Sequence, residues 1–119
     1  MTLKLNHLHL KTKDPEKTAK FYVDNLGATI VGKNPNGYRL DLHGLSLNVT
    51  KFLEQQTRKQ IYGMEHIAID TDELDALVAK LKAQGINILE QTVVSGGRRV
   101  CFFERPDGVQ LEFIETKKS

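Results

Sequence analysis

The chain has 119 residues, which fits a single domain over 1–119 with one substantial core. It is 39% hydrophobic and 27% charged, and its 17 basic and 15 acidic side chains are scattered, which excludes a disordered chain and argues against nucleic-acid or membrane partners. No long apolar stretch stands near the N-terminus, so we expect a cytoplasmic protein. Cys101, the only cysteine, lies in an apolar run and is interpreted as a buried, inert thiol.

The first predicted element is a strand over residues 3–12, because apolar and polar side chains alternate along it. Leu8 and Leu10 fall on one face of this strand, whereas His7 and His9 fall on the other. Two imidazoles therefore share one face.

A helix and three strands complete the first half. Asp14 and Pro15 supply an N-cap and a first-turn proline, and Gly27 can serve as the C-cap. The residues between them carry apolar side chains at helical spacing, so the helix should pack on the sheet. The predicted strands cover residues 28–32, 38–42 and 45–50, and a polar connector covers 54–61.

The second half repeats the first. Residues 65–72 echo 6–13, a helix follows over Asp72–Ala83, and a strand follows at 85–89. The final hairpin over 106–113 superposes on 42–49. The sequence therefore predicts an α+β fold with tandem βαβββ half-modules, 1–53 and 62–119, which form curved mixed sheets around a metal-binding cavity.

The repeat also aligns the polar residues of the two halves. His66 falls on His7, and Glu112 falls on Asn48. These side chains share the sheet face that the helices leave uncovered, where inward polar groups need partners, so a metal or a wet cavity is expected.

His7, His66 and Glu112 are the candidate metal ligands. Two imidazoles and one carboxylate suit zinc, iron, nickel, cobalt or manganese, and they leave coordination positions for substrate and water. The alternative is that both histidines are ordinary hydrogen-bonded residues near strand starts and that Glu112 is a solvated charge.

Two further features each have two interpretations. Arg39 alternates with apolar neighbours and should face the cavity, where it would bind a substrate carboxylate or phosphate, with a surface ion pair as the equal alternative. The segment Ser95–Arg99 is interpreted as a plain hairpin loop, although its glycines and arginines would also suit an anion site or a mobile lid.

Five segments of the chain carry a recognisable pattern: residues 6–10, 21–22, 26–27, 65–68 and 106–112. Together they resemble the vicinal oxygen chelate superfamily, which includes glyoxalase I, fosfomycin-resistance transferases, extradiol dioxygenases, methylmalonyl-CoA epimerase and bleomycin-resistance proteins. The resemblance covers essentially the whole chain and implies that His7, His66 and Glu112 bind one divalent ion, such as zinc, nickel, manganese or iron(II). It further implies a small substrate whose two oxygens bind the metal, and a homodimer.

The chain departs from glyoxalase I at Asn48, where that enzyme has a carboxylate. Asn48 is a poor base and a weak ligand, which puts a standard glyoxalase mechanism in doubt. His9 would serve instead as a base or a substrate contact, whereas a histidine behind the site or facing solvent is the alternative. His9, Asn48 and Arg39 are therefore the candidate catalytic residues.

The predicted function is a metal-dependent enzyme on a small oxygen-rich substrate, with lyase, isomerase or ring-cleavage chemistry. One alternative is a transferase similar to the fosfomycin-resistance type, which the apolar Val100 and Phe102 at inward positions disfavour. A second interpretation is a metal-free binding protein similar to bleomycin-resistance members. A third is an interaction domain without chemistry, which the complete ligand set disfavours.

Overall fold

The structure, a computed structural model, describes residues 2–116, and for Ser95 it describes the backbone alone. Met1 and residues 117–119, the end of the predicted second half-module, lie outside this range. The described residues form β-α-β-β-β and then the same order again, which confirms the predicted α+β class and tandem arrangement. The chain divides into two compact units. We call residues 7–65 the N-terminal unit, and the residues up to Asn6 together with those from His66 onward the C-terminal unit.

The N-terminal unit packs one helix on a mixed sheet. Its sheet order is β2-β3-β4-β1, with β1 and β4 parallel and the other pairs antiparallel. The core lies between helix and sheet, where Ala19 of the helix meets Leu10, Leu40 and Leu47 of the sheet. The elements are β1 (Leu3–Lys11, whose first residues belong to the C-terminal unit), α1 (Pro15–Leu26), β2 (Thr29–Asn34), β3 (Gly37–Leu42) and β4 (Leu45–Thr50).

Both predicted ends of α1 are confirmed. The Asp14 carboxylate accepts a hydrogen bond from the Lys17 N–H at 3.1 Å, which satisfies a donor that has no partner inside the helix. Gly27 ends the helix in the left-handed conformation, with φ of 73°.

The C-terminal unit has the same topology. Its sheet order is β5-β8-β7-β6, with β5 and β8 parallel and the other pairs antiparallel. Thus the first and last strands of each module are neighbours. The elements are β5 (Gly63–Thr71, from His66 onward in this unit), α2 (Leu74–Ala83), β6 (Ile88–Val94), β7 (Arg98–Glu104) and β8 (Gln110–Glu115).

Helix α2 begins two residues later than predicted. The Asp72 carboxylate accepts a hydrogen bond from the backbone N–H of Thr2 at 2.9 Å, a contact 70 residues apart in sequence that keeps Asp72 in the preceding turn. The strand predicted at 85–89 begins only at Ile88, because residues 85 and 86 close the helix. Their N–H groups bond to the carbonyls of Lys82 and Leu81 in a Schellman motif.

The sheet of the C-terminal unit has apolar clusters on both faces. On the α2 side, Leu77, Cys101 and Phe113 are buried together, which confirms the predicted burial of the thiol. On the opposite face Val100 and Phe102 belong to a second cluster, so that face is polar only in part. Burial raises the pKa of the Cys101 thiol, which keeps it protonated and unreactive.

The connector of the N-terminal unit is more than the polar link that the sequence predicts. Arg58 lies in it and is buried, with its Nη2 atom 2.7 Å from Oε1 of Glu65. The ammonium of Lys11, also buried, lies 3.9 Å from the same oxygen and donates to Gln60 Oε1 at 2.8 Å. This buried ion network attaches the connector to the end of β1.

Within the described range, no helix has the length and apolar character that crossing a membrane requires.

Candidate metal centre

The three candidate catalytic residues stand in one row across the sheet of the N-terminal unit. His9 on β1 pairs with Asn48 on β4, and Asn48 pairs with Arg39 on β3. Residues that pair directly across strands have their side chains on the same face of the sheet. His9 is buried at the β1 end of the row, whereas Arg39 is exposed at its β3 end.

His7 stands beside His9 on the same strand face. Both imidazoles are buried, and their ring centroids lie 5.6 Å apart in an edge-to-face arrangement. One ring nitrogen of each lies within 4.8 Å of one of the other. The N-terminal unit therefore contains a compact pair of imidazoles.

The C-terminal unit contains a second donor pair. Nε2 of His66 on β5 lies 3.2 Å from Oε1 of Glu112 on β8, and the two side chains are 1% and 7% exposed. The ring of Phe102 packs edge-on against His66, with ring centroids 5.2 Å apart. The imidazole and the carboxylate are thus held in contact and shielded from solvent.

The distance within this second pair suits metal ligation. Two donor atoms bound to one ion at about 2.1 Å, with an angle of about 90–110° between them, lie about 3.0–3.4 Å apart. The 3.2 Å between His66 and Glu112 falls in that interval, and it suits a direct hydrogen bond as well. Of the predicted ligands, the structure brings His66 and Glu112 together in one unit, and His7 belongs to the other unit.

A short hydrogen-bond chain orients His9. Its Nε2 atom lies 2.8 Å from Oγ1 of Thr50 on β4, and that hydroxyl donates to the carbonyl of Lys51 at 2.8 Å. His9 is therefore buried and anchored, so it does not face solvent.

The register is the same in both units. His9 pairs with Asn48, and Ala68 pairs with Glu112, in both cases between the parallel first and last strands of a module. Asn48 and Glu112 therefore occupy equivalent positions, and so do His9 and Ala68.

Sequence reasoning missed the buried ion network of Lys11, Arg58 and Glu65. The alternation along β1 places Lys11 on the same strand face as His7 and His9, but no pattern in the connector distinguishes the buried Arg58 from the exposed Lys59 beside it. One signal was available in the sequence. A lysine ends a strand in which apolar and polar residues alternate, and a lysine that is buried there requires a counter-charge.

The Ser95–Arg99 segment forms the predicted hairpin connection. Residues 95–97 make one 3₁₀ turn between β6 and β7, and both arginines belong to β7. Arg99 makes two hydrogen bonds to the carboxylate of Asp75 and further ones to Glu115. These contacts raise the pKa of the Arg99 guanidinium above its usual value and lower the pKa of the Glu115 carboxyl below its usual value.

A cavity of about 460 Å³ lies between α2 and the β6-β7 hairpin. It is lined in part by Val78, Val93, Arg99 and Cys101, and by none of the candidate metal ligands or candidate catalytic residues.

Comparison with known proteins identifies the family. Residues 4–113 match the model of the Glyoxalase/Bleomycin resistance protein/Dioxygenase superfamily, so the chain belongs to this superfamily. Its members usually bind a divalent metal ion, and its enzymes act on small-molecule substrates.

Relatives with different activities match along nearly the whole chain. The lactoylglutathione lyase of Haemophilus influenzae is 28% identical over 98% of this chain and 96% of its own length. The metallothiol transferase FosB of Lysinibacillus sphaericus is 32% identical over 92% of this chain and 79% of its own length. The crystal structure of methylmalonyl-CoA epimerase from Mycobacterium tuberculosis has the same fold, with a TM-score of 0.73, 20% identity, and coverage of 97% of this chain and 89% of that one.

Proposed function

We propose that the chain is a metal-dependent lyase or isomerase of the glyoxalase type, acting on a small substrate whose two neighbouring oxygens bind the metal. The observation that carries this proposal is the buried contact of His66 with Glu112 at 3.2 Å. We propose His7 as the third ligand, because it occupies in the first module the position that His66 occupies in the second.

The donor chemistry supports a metal more strongly than a purely structural pair. A neutral imidazole and a carboxylate are ligands of first-row transition metals, and burial removes the water that would otherwise compete for them. When bound, such an ion would stabilise negative charge that develops on a substrate oxygen.

The remaining roles fall to residues that lie in the row with His9. We propose that Arg39 binds an anionic group of the substrate, such as a carboxylate, because it is exposed at the end of that row and its guanidinium can donate two parallel hydrogen bonds. The Asn48 amide, one strand nearer to His9, would hydrogen-bond a neutral oxygen of the same substrate. In the C-terminal unit, Phe102 shields the His66 imidazole from water.

The decisive experiment measures metal content. Elemental analysis of the purified protein, before and after loading with zinc, nickel, manganese or iron(II), should find one ion per chain. Glu112→Gln and His7→Ala should each lower the metal affinity strongly, whereas His43→Ala, which removes an exposed histidine bonded to the Leu26 carbonyl, should leave it unchanged. If the wild-type protein binds no divalent ion under any loading condition, the proposal is wrong.

Activity assays then distinguish the reaction classes. Isomerisation of a hemithioacetal formed from an α-ketoaldehyde and a thiol, without oxygen uptake, is the expected outcome. Oxygen consumption with catechols would instead assign ring cleavage, and thiol addition to fosfomycin would assign transferase chemistry of the kind that the FosB relative suggests. Ligand binding that survives Glu112→Ala in a metal-free protein would assign a binding protein.

We also propose that the chain forms a homodimer. Leu3 and Leu5 lie two residues apart on β1, on the same face of the strand, and are 53% and 55% exposed. Neighbouring exposed leucines are typical of a contact surface. Light scattering after size exclusion should give twice the mass of 13.5 kDa, and Leu3→Ser with Leu5→Ser should shift it to the monomer.

A further inference from the structure

We infer that His9 is a fourth protein ligand of the metal, that it binds through Nδ1, and that it replaces the donor that Asn48 does not provide. This inference rests on the proposed function and deepens it, because it defines the donor set and hence the class of metal.

Each module has a first donor, which is His7 in one and His66 in the other. The shared strand register shows where a second donor of each module stands. In the C-terminal unit, Glu112 is the second donor, and its cross-strand neighbour is the small Ala68. In the N-terminal unit the corresponding pair is Asn48 and His9. The last strand of the N-terminal unit thus has an amide where the other module has a carboxylate, and its first strand has an imidazole where the other module has a methyl group.

The hydrogen-bond chain at His9 prepares Nδ1 for a metal. The Thr50 hydroxyl directs its only proton to the Lys51 carbonyl, so its oxygen must accept from Nε2–H of His9. In the neutral imidazole the lone pair then belongs to Nδ1. Histidine ligands of metals characteristically donate their other ring N–H to a nearby oxygen, which fixes the tautomer and the ring orientation.

Position and burial agree with this role. His9 is 6% exposed and lies beside His7, with a nitrogen of one ring within 4.8 Å of a nitrogen of the other. Two ligand atoms bound to one ion lie roughly 3–4 Å apart, so the two rings would have to approach by about 1 Å on binding the metal. The apolar core of the unit lies on the opposite face of β1, with Leu8 and Leu10, so the ring of His9 is buried on the polar face of the strand.

The donor set has a consequence for the metal. Three imidazoles and one carboxylate are richer in nitrogen than the set of two histidines and two carboxylates that an acidic residue at Asn48 would give. Nitrogen donors favour zinc, nickel and cobalt, whereas carboxylates favour manganese and magnesium. We therefore expect the protein to bind zinc or nickel in preference to manganese.

The first test follows the histidine nitrogens directly. In long-range ¹H–¹⁵N spectra of the full chain labelled with ¹⁵N-histidine, zinc should move Nδ1 of His9 to the metal-bound range while Nε2 stays protonated. The His43 signals serve as the internal control and should not move. Movement of His7 and His66 without His9 would overturn this inference alone, whereas a spectrum in which no histidine responds to zinc would overturn the proposed function with it.

The second test compares variants by competition with a chromophoric zinc chelator. His9→Ala should lower the zinc affinity by about 100-fold or more, and Thr50→Val, which removes only the acceptor of Nε2–H, should lower it by about 10-fold. Asn48→Ala should leave the zinc affinity unchanged. If Asn48→Ala weakens zinc binding and His9→Ala does not, Asn48 provides the donor and the inference is wrong; circular dichroism of each variant excludes a loss of fold as the cause.

Discussion

The two units of this protein share one topology and one strand register, yet they provide polar groups in different ways. In the C-terminal unit a carboxylate on the last strand stands beside an alanine on the first, and in the N-terminal unit an asparagine stands beside a histidine. The comparison teaches that a duplicated frame defines the few positions from which a side chain can reach a site. Which of the two neighbouring strands supplies the donor differs between the two units.

The units also differ in the burial of their arginine ion pairs. The N-terminal unit contains Lys11, Arg58 and Glu65 with fully buried side chains, so buried ion pairs hold its connector in place. In the C-terminal unit the ion pairs of Arg99 and Arg105 are exposed on the surface. The first arrangement depends on every partner being present, whereas the second contributes little and is screened by salt.

The largest expected effect breaks the buried network. Glu65→Gln keeps the shape of the side chain but leaves Lys11 and Arg58 buried without this counter-charge, which should destabilise the fold by about 3–5 kcal/mol. Urea unfolding measures the loss, and hydrogen exchange should show it first in the strands of the N-terminal unit. Asp24→Asn, in the exposed pair with Lys20, should cost less than about 0.5 kcal/mol, and an equal cost for both variants would contradict the distinction.

The next prediction gives the N-terminal unit the residues that the C-terminal unit has at the same two positions. The double variant His9→Ala/Asn48→Glu installs the alanine and carboxylate of the C-terminal unit, and it should recover metal affinity to within about 10-fold of the wild type. Its preference should move from zinc towards manganese, which competition between the two ions would measure. If the double variant binds metal no better than His9→Ala alone, the two positions are not interchangeable.

A smaller effect distinguishes the two helix starts. Asp14→Ala removes the side-chain cap of α1 and should lower the free energy of unfolding by about 1 kcal/mol. Glu73 occupies the N-cap position of α2 but makes no side-chain capping bond, so Glu73→Ala should change it by less than about 0.5 kcal/mol. Thermal unfolding of both variants measures the two losses of stability. A larger loss for Glu73→Ala than for Asp14→Ala would contradict the prediction.

The smallest effect concerns the exposed pair of Arg99 with Glu115, which lowers the pKa of that carboxyl. Because the folded pKa lies below the unfolded value of about 4.3, the pair stabilises the fold above that pH, and its contribution is lost as the pH falls through the folded pKa. The Tm difference between wild type and Glu115→Gln should therefore be present near neutral pH, vanish in acid and shrink in high salt. Glu54→Gln, a matched substitution at an exposed acid outside this pair, is the control.

Local sequence patterns predicted much of the fold and part of the site. The two-residue period of β1 placed His7 and His9 opposite Leu8 and Leu10, and Asp14 with Gly27 marked both ends of α1. The internal repeat aligned Asn48 with Glu112 without reference to strand order. These features need only the chain's own periodicity and the conformational preferences of capping residues.

Tertiary structure decided what stands next to what. The pairing of His9 with Asn48 and Arg39, the anchoring of His9 by Thr50 and the late start of α2 depend on contacts across up to 70 residues of sequence. No local period encodes such a distance. The sequence by itself therefore determined the elements and the faces on which candidate ligands lie, since these follow from backbone geometry over two to four residues. Strand register and burial decided which ligands meet, because both arise only when distant segments pack together.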